Sequence, residues 1–209
     1  MRIIAIGCEY SGVTTLLNDL LDWGRPRGIN FHLDDHFTIP DAFHLSTEEQ
    51  QAMLDMLPAI KERFQRFQVV YHIRLINKYE HILLGGFHIE EEIYGPLYYY
   101  SGLTVNETRK YEIEMPADTI LVHLVAEAAA IEARMERDPH PHTLIQRQHI
   151  PMLQERFAQE YAASYIEHKV EIDTSDLAPA ELLPTFFKRA RPHLSNADQL
   201  RLIAEKLGA

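Results

Sequence analysis

The chain has 209 residues, 46% apolar and 24% charged, with a formal net charge of −11. This balance fits one globular domain with a real core and excludes a disordered chain. The acidity argues against a general nucleic-acid or anionic-membrane binder, both of which need basic surface, so any phosphate site has to be local.

In chain order, Arg2–Ile6 is a short β-branched run stopping at Gly7, the pattern of a strand buried on both faces. From Thr14 apolar residues recur at helical intervals until Gly24, read as a helix-ending glycine. Ile29–Leu33 predicts a second strand, residues 34–43 a loop, and Ser46 with Glu49 a capping box. Ala59–Tyr79, after Pro58, predicts a long helix. Third, fourth and fifth strands are predicted at His81–Leu84, Thr119–Val125 and Val170–Ile172. Ala126–Glu136, the region around Met152–Ile166 and Ala180–Arg191 carry later helical patterns, and Asn196 is read as the cap of a final helix at about 196–208. Strands alternating with helices predict a three-layer α/β fold. Its central sheet is parallel and five-stranded, the first strand lies in the middle, and ligands sit beyond the carboxyl ends of the strands.

The single cysteine, Cys8, has no partner for a disulfide or a CxxC motif, which suits a reduced, cytoplasmic compartment. The apolar opening is too short for a signal peptide, and no run approaches the ~20 apolar residues that span a bilayer. Twelve histidines are scattered, and His140-Pro-His142 lacks the spacing of a zinc hydrolase.

The motif that carries chemistry is Gly7 to Thr15, GCEYSGVTT, directly after the first strand and opening the first helix. Gly7 and Gly12 let backbone amides turn toward phosphate oxygens. Ser11, Thr14 and Thr15 add hydroxyls, of which that of Thr14 suits Mg²⁺, and the helix N-terminus adds partial positive charge. Val13 stands where a phosphate loop normally has lysine.

This loop resembles the G-x-x-x-S-G-K-T-T of P-loop kinases of nucleosides and related small molecules, especially the uridine kinase and nicotinamide riboside kinase group. Leu33–Phe37, LDDHF, is similar to the Asp-Asp-Phe-like turn ending that family's second strand, and Leu84–Phe87, LGGF, to its Ile-Glu-Gly-Phe pattern, with Gly85 in place of the acid. Leu121–Arg137 with Gln154–Ser164 resembles the strand, arginine-bearing lid and long helix, and Ile172–Leu177 the final strand and nucleotide-side loop. The resemblance implies a single P-loop NTPase domain with a helical lid at about 134–150, using ATP and Mg²⁺ on a nucleoside-like or nucleotide-like acceptor. It also implies that Asp34 or Asp35 accepts the acceptor's proton, with Asp35 aiding Mg²⁺, and that Arg134 and Arg137 meet donor phosphates when the lid closes.

Other residues compensate for the missing groups in this reading. Glu90, in Glu90–Glu92 after the third strand, is a candidate Mg²⁺ contact in place of the lost acid, although an acidic first helical turn is common anyway. Arg74, Lys78 and Arg109 are candidates beside the lid arginines for the lysine's charge; Arg147 is a lesser candidate beside Arg134 and Arg137 for meeting donor phosphates. Tyr94 and Tyr98–Tyr100 are expected to pack rather than to stack on a ligand. Two classes stay open, an ATP-Mg²⁺ phosphotransferase and a nucleotide-binding or regulatory relative that has lost catalysis. Oligomeric state is open, a homodimer included.

Overall fold

A computed structural model describes residues 1–34, 45–103, 108–140 and 142–206. Five parallel strands run β1 (Arg2–Ile6), β2 (His32–Asp34), β3 (Ile82–Gly85), β4 (Thr119–Val125) and β5 (His168–Asp173), in the spatial order β2-β3-β1-β4-β5. The expected central position of β1 is therefore met, with Ala5 in register with Gly85 on one side and Val122 on the other.

The three inner strands β3, β1 and β4 are mostly apolar because both faces are covered. Ile4, Ile6, Ile82, Leu84 and Leu121 point into one cluster. It also contains residues of α3 (Pro58–Lys78), α4 (Phe87–Tyr94), α5 (Ala128–Arg137) and α6 (Ile150–Ala163). Ile3, Ala5, Leu83, Ile120, Val122 and Leu124 point the other way, onto α1 (Val13–Gly24) and α7 (Pro179–Ala190). Alternate residues of one strand thus feed opposite layers, as the period of two requires. The remaining helices are α2 (Thr47–Leu54), with the Ser46–Glu49 capping box in place, and α8 (Asn196–Lys206).

Three local details differ from expectation. Gly24 is the last residue of α1, as expected, but with an ordinary helical φ of −72° in place of a left-handed cap; a side chain there would strike the Phe31 ring at 2.8 Å. A single 3-10 turn, Arg25–Arg27, follows and closes at Gly28 with φ 70°, and the Ile29 amide donates back to Gly24. Ile29 is therefore a buried plug under α1, and the strand begins only at His32. The cap of α8 is Ser195, whose hydroxyl accepts the Asp198 amide at 3.1 Å, in place of Asn196.

Among the described residues no helix is long and apolar enough to cross a membrane.

Candidate phosphate-loop site

The loop between β1 and α1 leaves the carboxyl edge of the central strand. Its first turn is closed by the Ser11 amide on the Cys8 carbonyl at 2.9 Å, with Tyr10 held at φ 65°. Gly12 follows at φ 106°, a left-handed conformation that side chains rarely adopt, and serves as N-cap of α1. Gly7 is required for a different reason: a β-carbon there would meet Ser11 Oγ at 2.3 Å and the Leu124 carbonyl at 2.5 Å. No side chain caps α1 and no acid sits in its first turn. The amides of Val13, Thr14 and Thr15 are thus first-turn donors without an intrahelical acceptor, an arrangement that binds anions.

Val13 is half-buried and its side chain packs on the apolar cluster shared with Leu177, so beyond its amide it adds no charge to that donor set. Thr14 is exposed and Thr15 half-buried. Ser11 is buried, and its hydroxyl has no partner among the described residues. A cavity of about 40 Å³ lies behind the loop, lined by Cys8, Ser11, His123, Gln154 and Phe157 among others. It is far too small for a nucleotide.

Thr174, just beyond β5, donates its hydroxyl to the Ser11 carbonyl at 2.8 Å. Arg134 donates to the Tyr10 carbonyl at 2.9 Å, to the Thr174 hydroxyl at 3.1 Å and to the Thr174 carbonyl. Burial, with Arg137 nearby, lowers the Arg134 pKa, while Asp173 opposes that shift. Its guanidinium is therefore a clamp that joins the loop to the end of β5. Arg137, one turn on, is exposed and carries no hydrogen bond or ion pair to the described residues, and Arg147 is paired with Glu136 at 2.7 Å. Arg109 is paired with Glu160. Arg74 and Lys78 are at the wrong end: α3 runs back toward the start of β3, and Arg2 donates to Ile76 near its close.

Two residues that sequence reasoning left without a role face the segment following α5. Leu144 donates its amide to Glu9 Oε1 at 3.2 Å. Thr143 Oγ1 lies 2.9 Å from the Tyr10 hydroxyl, and His142 Nε2 lies 3.0 Å from Gln50 Oε1 of α2. Residues 140 and 142–144 thus bridge from the phosphate loop to the far side of the carboxyl edge. Glu9 Oε2 is buried without a partner among the described residues, and burial pushes the Glu9 carboxyl up to about 7, with Glu90 adding repulsion against the Leu144 hydrogen bond. The signal for Glu9 was an acid inside a phosphate loop; its burial arises only from tertiary packing.

Asp34 ends β2 in register with Leu84, at the same carboxyl edge, and Asp35 lies outside the described residues. Glu90 is half-buried in the first turn of α4 and accepts from the Tyr99 hydroxyl at 3.3 Å. Tyr94, Tyr99 and Tyr100 are buried in the core, as expected of packing residues. Among the described residues no group of three or more acidic, histidine or cysteine side chains forms a metal centre by itself.

The chain is similar to the YorR protein from Bacillus subtilis, solved in complex with phosphorylated GDP. Identity is 16% and the TM-score 0.59, over 94% of this chain and 100% of that one. It is also similar to deoxyadenosine kinase from M. mycoides with bound dATP, at 10% identity and a TM-score of 0.56, over 91% of this chain and 100% of that one. No protein-family model and no curated protein matches. The fold is the three-layer α/β fold of P-loop kinases; at these identities the likeness extends to the fold alone.

Proposed function

We propose that the chain is a phosphotransferase that moves the γ-phosphoryl group of ATP, with Mg²⁺, to a nucleoside-like or nucleotide-like small molecule. The observation that carries this reading is the uncapped N-terminus of α1, set behind a left-handed Gly12 at the carboxyl edge of the central strand. In this role the amides of Val13, Thr14 and Thr15 hold donor phosphates. The donor set fits Mg²⁺ as a guest of the triphosphate, since an exposed Thr14 hydroxyl is present and Mg²⁺ typically takes one or two protein oxygens beside phosphates and waters. Bound there, the ion neutralises charge on the phosphate oxygens. Asp34, with Asp35, supplies the carboxylate that accepts the acceptor's proton.

Residues 138–149 act as the lid in this account, and Arg137 is the cation that substitutes for the absent lysine, because Arg134 is already committed to carbonyls. Both dATP and phosphorylated GDP are ligands of proteins that share the fold. One observation favours a second reading, nucleotide binding without transfer: Val13 is folded into the apolar cluster, and the third strand ends in Gly85 instead of an acid. Labelled ATP incubated with a panel of nucleosides and nucleotides separates the two. Transfer of label to any acceptor supports the first reading, and saturable ATP binding without transfer supports the second.

A further inference from the structure

Inside the apolar run of β4 one residue is polar. His123 stands between Val122 and Leu124, pairs with Ile6 of the central strand and is only 2% exposed. Glu171 of β5, in register with it, meets its Nδ1 at 3.1 Å. Burial lowers the His123 pKa, and the Glu171 contact opposes that shift. The ring is therefore neutral at neutral pH with its proton on Nδ1, toward the carboxylate, which leaves Nε2 as an acceptor. This ring lines the cavity of about 40 Å³ behind the phosphate loop, together with Ser11 and Gln154. Ser11 is 1% exposed, and its hydroxyl has no partner among the described residues. Gln154 donates its amide nitrogen to the Ala126 carbonyl, which leaves Oε1 to accept. Buried polar atoms are as a rule hydrogen-bonded, and the cavity exceeds the ~10–15 Å³ that one water needs.

We propose that this cavity is a hydration site whose water accepts from the Ser11 hydroxyl and donates to His123 Nε2 and Gln154 Oε1, and that His123 is thereby a positioning residue of the phosphate loop. One donor and two acceptors match what a single water can satisfy. The backbone of Ser11 is already held, its amide on the Cys8 carbonyl at 2.9 Å and its carbonyl under the Thr174 hydroxyl at 2.8 Å. The water holds its side chain. The next residue is Gly12, whose φ of 106° aims the α1 amides, so a tie beneath Ser11 fixes the floor of the proposed anion site. Ile131 and Phe157 form apolar wall on the same cavity, and Glu171, with its side chain half-exposed, turns the imidazole from the solvent side. The arrangement couples the rim of β5 to the loop through a group that touches no ligand. The inference is independent of the phosphotransferase reading, since neither the site nor its tests involve a nucleotide.

A high-resolution crystal structure of the full chain tests the site, and should show an ordered water within hydrogen-bond distance of Ser11 Oγ, His123 Nε2 and Gln154 Oε1. A double-mutant cycle in denaturant tests the coupling. Ser11→Ala and His123→Phe remove opposite ends of the bridge, so the double variant should fall short of the summed single effects by about fivefold or more in the unfolding equilibrium constant. The positioning role is read by hydrogen exchange at the Ser11 amide. It should accelerate about tenfold in His123→Phe and return to within about threefold of the wild type in His123→Gln, which keeps an acceptor on the cavity wall. A dry cavity, a Ser11 hydroxyl bonded directly to a protein group, or additive effects in the cycle would overturn the water bridge. Ser11 exchange that His123→Phe leaves unchanged, or that His123→Gln fails to restore, would overturn the positioning role.

Discussion

Tyr10 and His140 stack face to face, with ring centroids 4.2 Å apart and planes 19° apart, and the His140 amide donates to the Tyr10 hydroxyl at 2.9 Å. A residue at positive φ inside the phosphate loop is thereby fastened to the proposed lid. The left-handed backbone at Tyr10 costs about 1–2 kcal/mol, which these contacts offset.

Tyr10→Phe keeps the stack and loses the hydroxyl's bonds to His140 and Thr143. Each is worth about 1 kcal/mol, so amide exchange at Thr143 and Leu144 should accelerate by roughly tenfold while the rest of the chain is unaffected. Hydrogen-exchange mass spectrometry reads this directly. Unchanged protection of that peptide would mean that Tyr10 does not hold the segment.

Glu9 should leave a mark on stability against pH. Its carboxyl is raised from 4.5 to about 7, chiefly by burial. Below about pH 4.5 folded and unfolded chains both hold the proton. Between that pH and about 7 only the folded chain holds it, so stability falls as pH rises, and above about 7 the full cost of the buried carboxylate remains. The loss is at most about 3 kcal/mol, and less where water reaches the group. Cys8, Tyr94 and Glu90 surround this carboxyl, the thiol of Cys8 being itself pushed up to about 12 by burial. In Glu9→Gln the stability difference from wild type should grow from pH 4.5 to 7 in the variant's favour and then level off. A difference independent of pH would refute the assignment.

Arg134 and Arg137 should separate cleanly. Arg134→Ala strands the Tyr10 and Thr174 carbonyls and should cost about 2–4 kcal/mol of stability, read as a lowered denaturant midpoint. Arg137→Ala should change stability by less than about 0.5 kcal/mol and yet lower phosphate transfer by about 10²-fold or more, the behaviour of a cation that acts on the transferring group. Equal effects of both substitutions on stability would remove the distinction.

Asp34→Asn should lower turnover by about 10²–10⁴-fold with nucleotide affinity little changed, as expected for loss of a base. Single-turnover transfer and equilibrium binding, measured side by side, decide it. Full activity in Asp34→Asn and in the double variant with Asp35→Asn would exclude a carboxylate base at this strand end.

Much of the fold was legible because it rests on local pattern. Five apolar runs separated by helical periodicity led to the three-layer arrangement, and Ser46 with Glu49 marked a helix start that the structure reproduces. Ile29 misled because a buried residue plugging a helix end has the same apolar signature as a strand residue. At the site, the glycines and the hydroxyls could be read from the motif, since they act through their own backbone. Partnerships could not: Tyr10 and His140 are 130 residues apart, and only the chain's return over the carboxyl edge brings them together. For the same reason Arg74 and Lys78 looked usable by charge alone, and the course of α3 removes them.

The most direct test of the account is calorimetric titration of ATP with Mg²⁺ into the wild type and into Gly12→Val, whose β-branched side chain is strained at the φ of 106° that aims the α1 amides. The account predicts saturable binding at one site per chain in the wild type and its loss in a folded Gly12→Val. Absence of nucleotide binding in the wild type, or binding that Gly12→Val leaves unchanged, would contradict it.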